Sequence, residues 1–281
     1  MTGASVMGRS HREAGISCQD SHRYESWGNG WGIAVVSDGA GSASHSHIGS
    51  RYVAQRAVER FSELVRNERW IRDEIMPSTE TWCENATSEL RGLRNDLESF
   101  AQQQNLEFSS LAATLIIVVL APTGILLAHI GDGRAAFRDE GGTWKAMMTP
   151  FRGEEVNSTW FLTSRIWDNL EAYVECKVHL EGYDAFAILT DGCENSSFEW
   201  NIRTSEDSAL WFDPNRPYPG FFDPVIDVFA AMTQDGLGAS AIQEIWSRFL
   251  EAGNRKLLLE DDDKTMIIGI SIPSSLQLTQ S

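Results

Sequence analysis

Residues 31–50 read WGIAVVSDGAGSASHSHIGS. Residues 32–36 form a short apolar run rich in β-branched side chains, which predicts a buried strand. The run stops at Ser37-Asp38-Gly39. Gly39 and Gly41 let the backbone turn sharply and approach a ligand. From Ser46 the apolar residues Ile48, Tyr52, Val53, Ala57, Val58 and Phe61 fall along one helical face. A carboxylate therefore stands where a buried strand ends, on a glycine turn, just before a helix. That placement holds a reactive or metal-binding group rigidly at the rim of a sheet.

Working outward, residues 1–20 are small, polar and partly basic, ending in Cys18-Gln19-Asp20. A Gly-Asn-Gly turn at 28–30 predicts a hairpin over 21–36. Helices are expected over 46–67 and over 78–103, the second with Pro77 ahead of it and Ser78 as N-cap. Residues 112–120 and 125–130 read as two buried strands joined by a Pro-Thr-Gly turn. The second strand leads to Gly131-Asp132-Gly133-Arg134 and resumes at 135–137. Residues 138–180 lack a clear period and read as a strand, an irregular flap and a strand at 171–180. Another buried strand, 183–189, ends at Thr190-Asp191-Gly192. Residues 194–222 look loop-like, helices follow at 223–235 and 239–252, and a strand at 266–272 comes after Asp261-Asp262-Asp263-Lys264-Thr265. There is no internal repeat and no dividing linker. The chain reads as one domain, 1–281, with a core over about 8–272 and a mobile polar tail at 273–281. Segregated runs of strands and helices predict an α+β fold rather than alternating βαβ units.

Composition narrows the function. The 281 residues carry a formal net charge of −17, and 42% of them are hydrophobic, enough for a sizeable core. Nucleic-acid binders show a basic face, so this balance argues against one. An acidic substrate is also disfavoured unless metal ions reverse the local field. The four cysteines, Cys18, Cys83, Cys176 and Cys193, form no CxxC pair. Neither a zinc site nor a disulfide framework is indicated, and reduced thiols in a cytoplasmic protein are the simpler expectation. The N-terminus lacks the apolar core of a secretory signal, and the longest apolar stretch is too short to span a bilayer.

Asp20, Asp38, Asp132, Asp191 and Asp262 share a context. Each lies at a predicted strand end or turn, and three precede glycine directly. Hard cations such as Mg²⁺ and Mn²⁺ take carboxylate, carbonyl and water oxygens. Carboxylates converging on one rim repel each other unless cations sit between them. Two metals ~3.5–4 Å apart can share a carboxylate and a water, lowering that water's pKa so that hydroxide is available near neutral pH. Such a site suits in-line attack on a phosphate ester. The bland alternative for each aspartate is a turn or cap, and for Asp262 a solvated acidic loop.

The set CQD, SDGAG, GDGR, LTDG and DDKT, in this order, resembles the metal-dependent type 2C Ser/Thr protein phosphatases, the PPM family. Residues 157–163, NSTWFLT, are similar to a bacterial subgroup. The resemblance implies a four-layer α/β/β/α sandwich of two antiparallel β-sheets flanked by helix pairs. It implies Mn²⁺ or Mg²⁺, two ions with room for a third. Asp38 would bridge the pair and the Gly39 carbonyl would assist the second ion. Asp191 and Asp262 would complete the first site, and Asp20 would serve the second directly or through water. Asp132 would help hold a third, weaker ion. Three consecutive aspartates leave the register between Asp262 and Asp263, and the family pattern favours Asp262. The implied partners are a phosphoprotein substrate and a Ser/Thr kinase whose action is opposed, with no nucleic acid and no membrane.

Two departures stand out. Many members carry a phosphate-gripping arginine five residues before the aspartate matching Asp20, where this chain has Gly15, with Arg12 or His11 as substitutes. Where eukaryotic members often have a histidine after the Asp-Gly turn, this chain has Ala40. His45 and His47 read as polar residues of a helix entry, Cys18 and Cys193 as inert thiols, and Trp144, Trp160 and Trp167 as packing anchors. Alternatives to a protein phosphatase are a phosphatase-like binding or regulatory module with a weakened site, and a small-molecule phosphatase or nuclease.

Overall fold

Alternation along the first core strand builds the layers. Ile33 and Val35 leave it toward a pair of helices, while Ala34 and Val36 leave it toward a second sheet. Ile117 and Val119 repeat the first pattern one strand over, and Ile116 and Val118 the second. A strand apolar on both faces is stable only when both are covered, so the continuous runs in the sequence dictate a sandwich inside a sandwich.

The computed structural model describes residues 1–151, 159–203 and 211–271. The strands are β1 (Thr2–Val6), β2 (Ser21–Gly28), β3 (Trp31–Ser37), β4 (Leu115–Ala121), β5 (Gly124–Ile130), β6 (Arg134–Asp139), β7 (Trp144–Ala146), β8 (Glu175–His179) and β9 (Tyr183–Leu189), then four two-residue strands, β10 (Phe198–Glu199), β11 (Ile202–Arg203), β12 (Trp211–Phe212) and β13 (Arg216–Pro217), and finally β14 (Lys264–Ile270). The helices are α1 (Arg9–Ala14), α2 (Ser46–Asn67), α3 (Trp70–Asp73), α4 (Thr79–Gln104), α5 (Glu194–Ser197), α6 (Pro219–Gln234), α7 (Ala239–Ala252) and α8 (Arg255–Leu259).

One sheet runs β2-β3-β4-β5-β8 and the other β1-β14-β9-β6-β7, with every pairing antiparallel. Helices α2 and α4 cover the first sheet and α6 and α7 the second, giving the α+β, four-layer α/β/β/α arrangement. Trp82 of α4 is fully buried and its indole N–H donates to the Leu127 carbonyl at 2.6 Å, which pins that helix to its sheet. Between the sheets pack Phe137, Phe186, Leu127, Ile188 and Met147. Trp144 stacks on Phe222 of α6 at 4.5 Å, and Trp167 is buried in the core under α4, so both are packing anchors.

The register decides where function collects. Ser21 pairs with Ser37, Leu115 with Ile130, and Leu189 with both Arg134 and Met266. The ends of β3, β5 and β9 and the starts of β2, β6 and β14 therefore lie along one edge of the sandwich.

Some local structure departs from expectation. The first twenty residues are not featureless: β1 lies on the edge of the second sheet beside β14, and α1 follows it. The ordered core thus begins at Thr2, ahead of residue 8. Only an isolated bridge from Gly39 to Ala113 precedes β4, so residues 112–114 line the rim instead of extending the strand. The stretch 194–222 holds α5 and two small antiparallel pairs, β10 with β13 and β11 with β12. Pairs this short show no period of two, which hid them in the sequence. Flap residues 152–158, which include Asn157 and Ser158, and the tail 273–281 lie outside the described residues. Among the described residues no helix is long and apolar enough to cross a membrane.

Candidate metal centre

Each aspartate is fixed by the strand end that carries it. Asp38 follows β3, and its backbone is locked to Thr114. The Asp38 N–H donates to Thr114 Oγ1 at 3.1 Å, and the Thr114 N–H donates to the Asp38 carbonyl at 2.8 Å. Ser37 Oγ donates to the Thr114 carbonyl at 2.6 Å, and the Ala40 N–H donates to Ala112 at 3.0 Å. Residues 38–40 are thus laced to 112–114 beyond the end of the sheet. Gly39 is required here by close approach: a Cβ would sit 2.7 Å from the Gln19 carbonyl. Gly192, after Asp191, has the same problem against the Asp263 carbonyl. Neither glycine has positive φ, so tight packing of rim strands, not an unusual turn, selects them.

Asp20, just ahead of β2, is buried and accepts a 2.7 Å hydrogen bond from Thr190 Oγ1. Thr190 itself bonds across to β14, donating from its N–H to the Thr265 carbonyl at 3.0 Å. A donor on the second sheet thereby holds a carboxylate of the first. Asp191 follows directly, and Asp262 precedes β14.

Electrostatics binds the set together. Burial, and then the charges of Asp20, Asp191, Asp262 and Asp132, drive the Asp38 carboxyl well above its ordinary range. Burial, and then Asp262, Asp132, Asp20 and Glu194, do the same to Asp191. Asp20 is pushed up to about 7, with burial dominant, the Thr190 hydroxyl opposing it and the Asp263 charge adding to it. Asp262 keeps an exposed surface, yet the protein around it still raises its carboxyl. Five acidic groups from both sheets therefore share one electrostatic neighbourhood, in which Asp20, Asp38 and Asp191 resist ionising through burial first and neighbouring carboxylate charge second.

Among the described residues, no group of three or more His, Cys, Asp and Glu side chains is arranged to hold a metal ion. The test of fit rests on donor chemistry. The rim offers carboxylates and the Gly39 backbone carbonyl, with no thiolate or imidazole among the expected ligands. That set suits a hard divalent cation, whose charge would reverse every upward shift just described.

The sequence matches the protein phosphatase 2C family over residues 7–244, most of the chain. The chain belongs to that family. Phosphatase-type catalysis goes with protein phosphatase 2C membership. Serine/threonine-protein phosphatase 3 of Escherichia coli strain K12 is 27% identical over 273 residues, covering 95% of this chain and 96% of the relative. Among solved structures, serine/threonine phosphatase Stp1 from Staphylococcus aureus matches 96% of this chain and 94% of its own, with a TM-score of 0.54 at 12% identity. Serine-threonine phosphatase 2C from Toxoplasma gondii matches 95% and 92%, with a TM-score of 0.53 at 13% identity. At such identities the solved structures speak to the fold alone.

Within this protein phosphatase 2C domain, the two candidate phosphate-gripping residues have other partners. His11 Nδ1 lies 2.9 Å from Asp263 Oδ2, and Arg12 pairs with Glu251 at 2.9 Å on the surface. Gly15, at the position of the family arginine, has φ 67° and ends α1 as its left-handed cap. His45 contacts Ser44 and Ser110 at the entry of α2. Burial, with Asp20 and Asp263, raises the Cys18 thiol, and burial first raises that of Cys193, so neither is a ready thiolate.

Three structural roles were missed at the sequence level. Asp263 is buried and accepts from the Gly8 N–H at 2.7 Å and the Gln19 N–H at 2.5 Å, which ties the strand of Asp262 to the loop of Asp20. Thr190 was passed over inside LTDG. Arg134, the last residue of GDGR, is fully buried and ion-paired to Glu194 at 3.2 Å and Asp213 at 2.6 Å. All three sit in or beside quoted motifs, but long-range partners leave no local signature.

The flap is rooted beside Asp132. The Phe151 N–H donates to the Gly131 carbonyl at 3.0 Å, and the Phe151 ring lies over His129 at 5.0 Å. His129 pairs with Glu175 at 2.9 Å. Burial works to raise Glu175, but bonds from His129, Lys177 and the Thr149 N–H carry it down to about 2.

Proposed function

We propose that this chain hydrolyses phosphoserine or phosphothreonine in proteins with the help of two Mn²⁺ or Mg²⁺ ions, opposing a Ser/Thr kinase in bacterial signalling. Asp38, Asp191 and Asp262 are the central ligands, Asp20 and the Gly39 carbonyl serve the second ion, and Asp132 serves a third. When bound, such ions acidify a water for attack on phosphorus and neutralise the phosphoryl oxygens. The chain's own part is positioning. Thr114 fixes the backbone of Asp38, Thr190 orients Asp20, and Asp263 holds the loops of Asp20 and Asp262 at a set separation. The whole of 1–281 acts as one domain in this reading, in the cytoplasm.

The observation that carries the proposal is the elevation of Asp38 and Asp191 by burial first and then by the charges of Asp20, Asp132 and Asp262. Carboxylates gathered from five separate segments lie close enough for their charges to act on one another, an arrangement that suits cation binding. The relative from Escherichia coli, a serine/threonine-protein phosphatase by name, supports the same reading.

The test is turnover of p-nitrophenyl phosphate and of phosphopeptides with and without Mn²⁺. Hydrolysis that needs Mn²⁺ and falls by roughly two to three orders of magnitude in Asp38→Ala and Asp191→Ala, the size expected for removing charge stabilisation of the transition state, supports the reading. Absence of turnover on either ester while Mn²⁺ still binds favours the weakened binding module. That second reading draws on the surface pairing of Arg12, the engagement of His11 with Asp263 and the glycine at position 15. Faster turnover of nucleotides than of phosphopeptides would instead make it a small-molecule phosphatase.

A further inference from the structure

Residues 198–203 and 211–217 form the two legs of a small arm after the turn that carries Asp191. Phe198 pairs with Pro217 at its base, and Ile202 and Arg203 pair with Phe212 and Trp211 further out. Trp211 and Phe212 are 52% and 46% exposed, and the Arg203 guanidinium lies 4.9 Å from the Trp211 ring. Two adjacent large aromatics, each leaving about half of its surface in solvent, stand out on a chain of net charge −17.

The arm is fastened to the rim at its root. Asp213, next after Phe212, accepts from Arg134 Nη2 at 2.6 Å, and Asn215 Oδ1 accepts from Arg134 Nη1 at 2.6 Å. Asn215 Nδ2 also donates to the Met148 carbonyl at 2.7 Å, just ahead of the flap. Arg134 Nε faces Glu194 at 3.2 Å, and its guanidinium lies 5.1 Å from the Phe198 ring. Arg134 stands two residues from Asp132, and Glu194 three from Asp191. A planar donor fork inside the protein thus joins two acidic turns, the flap root and the aromatic arm at one point.

We propose that Trp211 and Phe212 form a docking surface for the polypeptide flanking the phosphorylated residue of a protein substrate, and that Arg134 hangs this surface on the rim. The occupant follows from the placement. A phosphate at the aspartate rim leaves its own chain free to run outward. Phe212 reaches the rim through Asp213, the Asp213–Arg134 pair and the two residues from Arg134 to Asp132, a path of roughly seven extended residues at ~3.3 Å each. Aromatic side chains pay little conformational entropy on contact and dominate binding surfaces of this kind. Apolar side chains within that distance of the phosphate are therefore favoured. This rests on the protein phosphatase reading for what sits at the rim.

The experiment uses the full chain with Mn²⁺ and two fluorescein-labelled phosphothreonine peptides of equal length. One carries Leu and Phe at two to seven residues from the phosphothreonine, and the other carries Gly at the same places. Anisotropy reads binding without needing turnover. Unmodified protein is expected to bind the apolar peptide about fivefold to tenfold more tightly, the size of one good aromatic contact. The Trp211→Ala/Phe212→Ala variant is expected to bind both peptides alike, with a melting temperature equal to that of the unmodified protein. Equal binding of the two peptides by unmodified protein, no measurable binding of either, or a preference that survives in the variant, overturns the proposal. Separately, p-nitrophenyl phosphate left intact by a protein whose peptide preference disappears in the variant would sink the catalytic reading and leave the arm's role standing.

Discussion

At the scale of single residues, the rim depends on groups that are not expected ligands. Thr190 gives the buried Asp20 its hydroxyl hydrogen bond, so Thr190→Val removes a donor and leaves the carboxylate less compensated. The expected outcome is a loss of ~1–3 kcal/mol in urea unfolding and a higher Mn²⁺ concentration for half-maximal hydrolysis. Asp263 is the sharper case, because it accepts two backbone N–H groups in a buried place. Asp263→Ala orphans both and is expected to cost roughly 3 kcal/mol, again by urea unfolding, while Asp263→Asn keeps one acceptor oxygen and costs less. His22 supplies a pH signal away from the rim. Burial, with the Arg23 charge, lowers its imidazole from 6.5 to about 4. Its folded pKa is below its unfolded pKa, so between those values the unfolded chain binds the extra proton. Stability from this group is complete above pH 6.5 and is lost as pH falls toward 4, by up to about 3 kcal/mol. A His22→Gln variant should show a shallower fall of unfolding free energy across that window than the unmodified chain.

At the scale of elements, legibility followed periodicity. Helix α2 came out at Ser46–Asn67, and Ser78 caps α4 by accepting from the Thr81 N–H at 3.1 Å. Ser78→Ala should lower stability by about 1 kcal/mol, read as a drop in thermal midpoint. Both faces of β3, β4 and β9 are apolar, so their runs stood out without reference to partners. Strand β1, by contrast, reads Thr-Gly-Ala-Ser-Val and becomes a strand only through β14, more than 250 residues away in the chain. Removing residues 1–7 would bare the edge of β14 and take Ala4 and Val6 out of the α6–α7 layer, uncovering the apolar side chains packed with them. The expected result is a lower melting temperature together with concentration-dependent aggregation in light scattering. The arm legs at 198–203 and 211–217 escaped for a related reason. It is held by Arg134 through Asp213 and Asn215, and an ion pair spanning some eighty residues leaves no pattern in a local window.

At the scale of the whole molecule, the order of the Asp-Gly motifs carried the family and the four-layer sandwich. It also named the aspartates that the fold draws into one neighbourhood. What it could not convey was which side chains brace them, since bracing depends on register between sheets. Linkage gives a test at this scale that needs no substrate. An ion bound only by the folded chain stabilises it by ~2.7 kcal/mol at a hundredfold excess over its dissociation constant. Mn²⁺ should therefore raise the thermal midpoint of the unmodified protein, and Asp38→Ala should abolish most of that rise. An equal rise in both would place the ion elsewhere on the acidic surface. The division of the carboxylates between the layers has a mechanical consequence. Asp20 and Asp38 ride on one slab, and Asp191 and Asp262 ride on the other. Any slip of slab against slab alters the spacing of oxygens across the gap. Phe137 and Phe186, wedged in the middle of the molecule, thus set the gauge of a jaw whose teeth lie at its edge, and enlarging or trimming them should retune cation affinity from a distance.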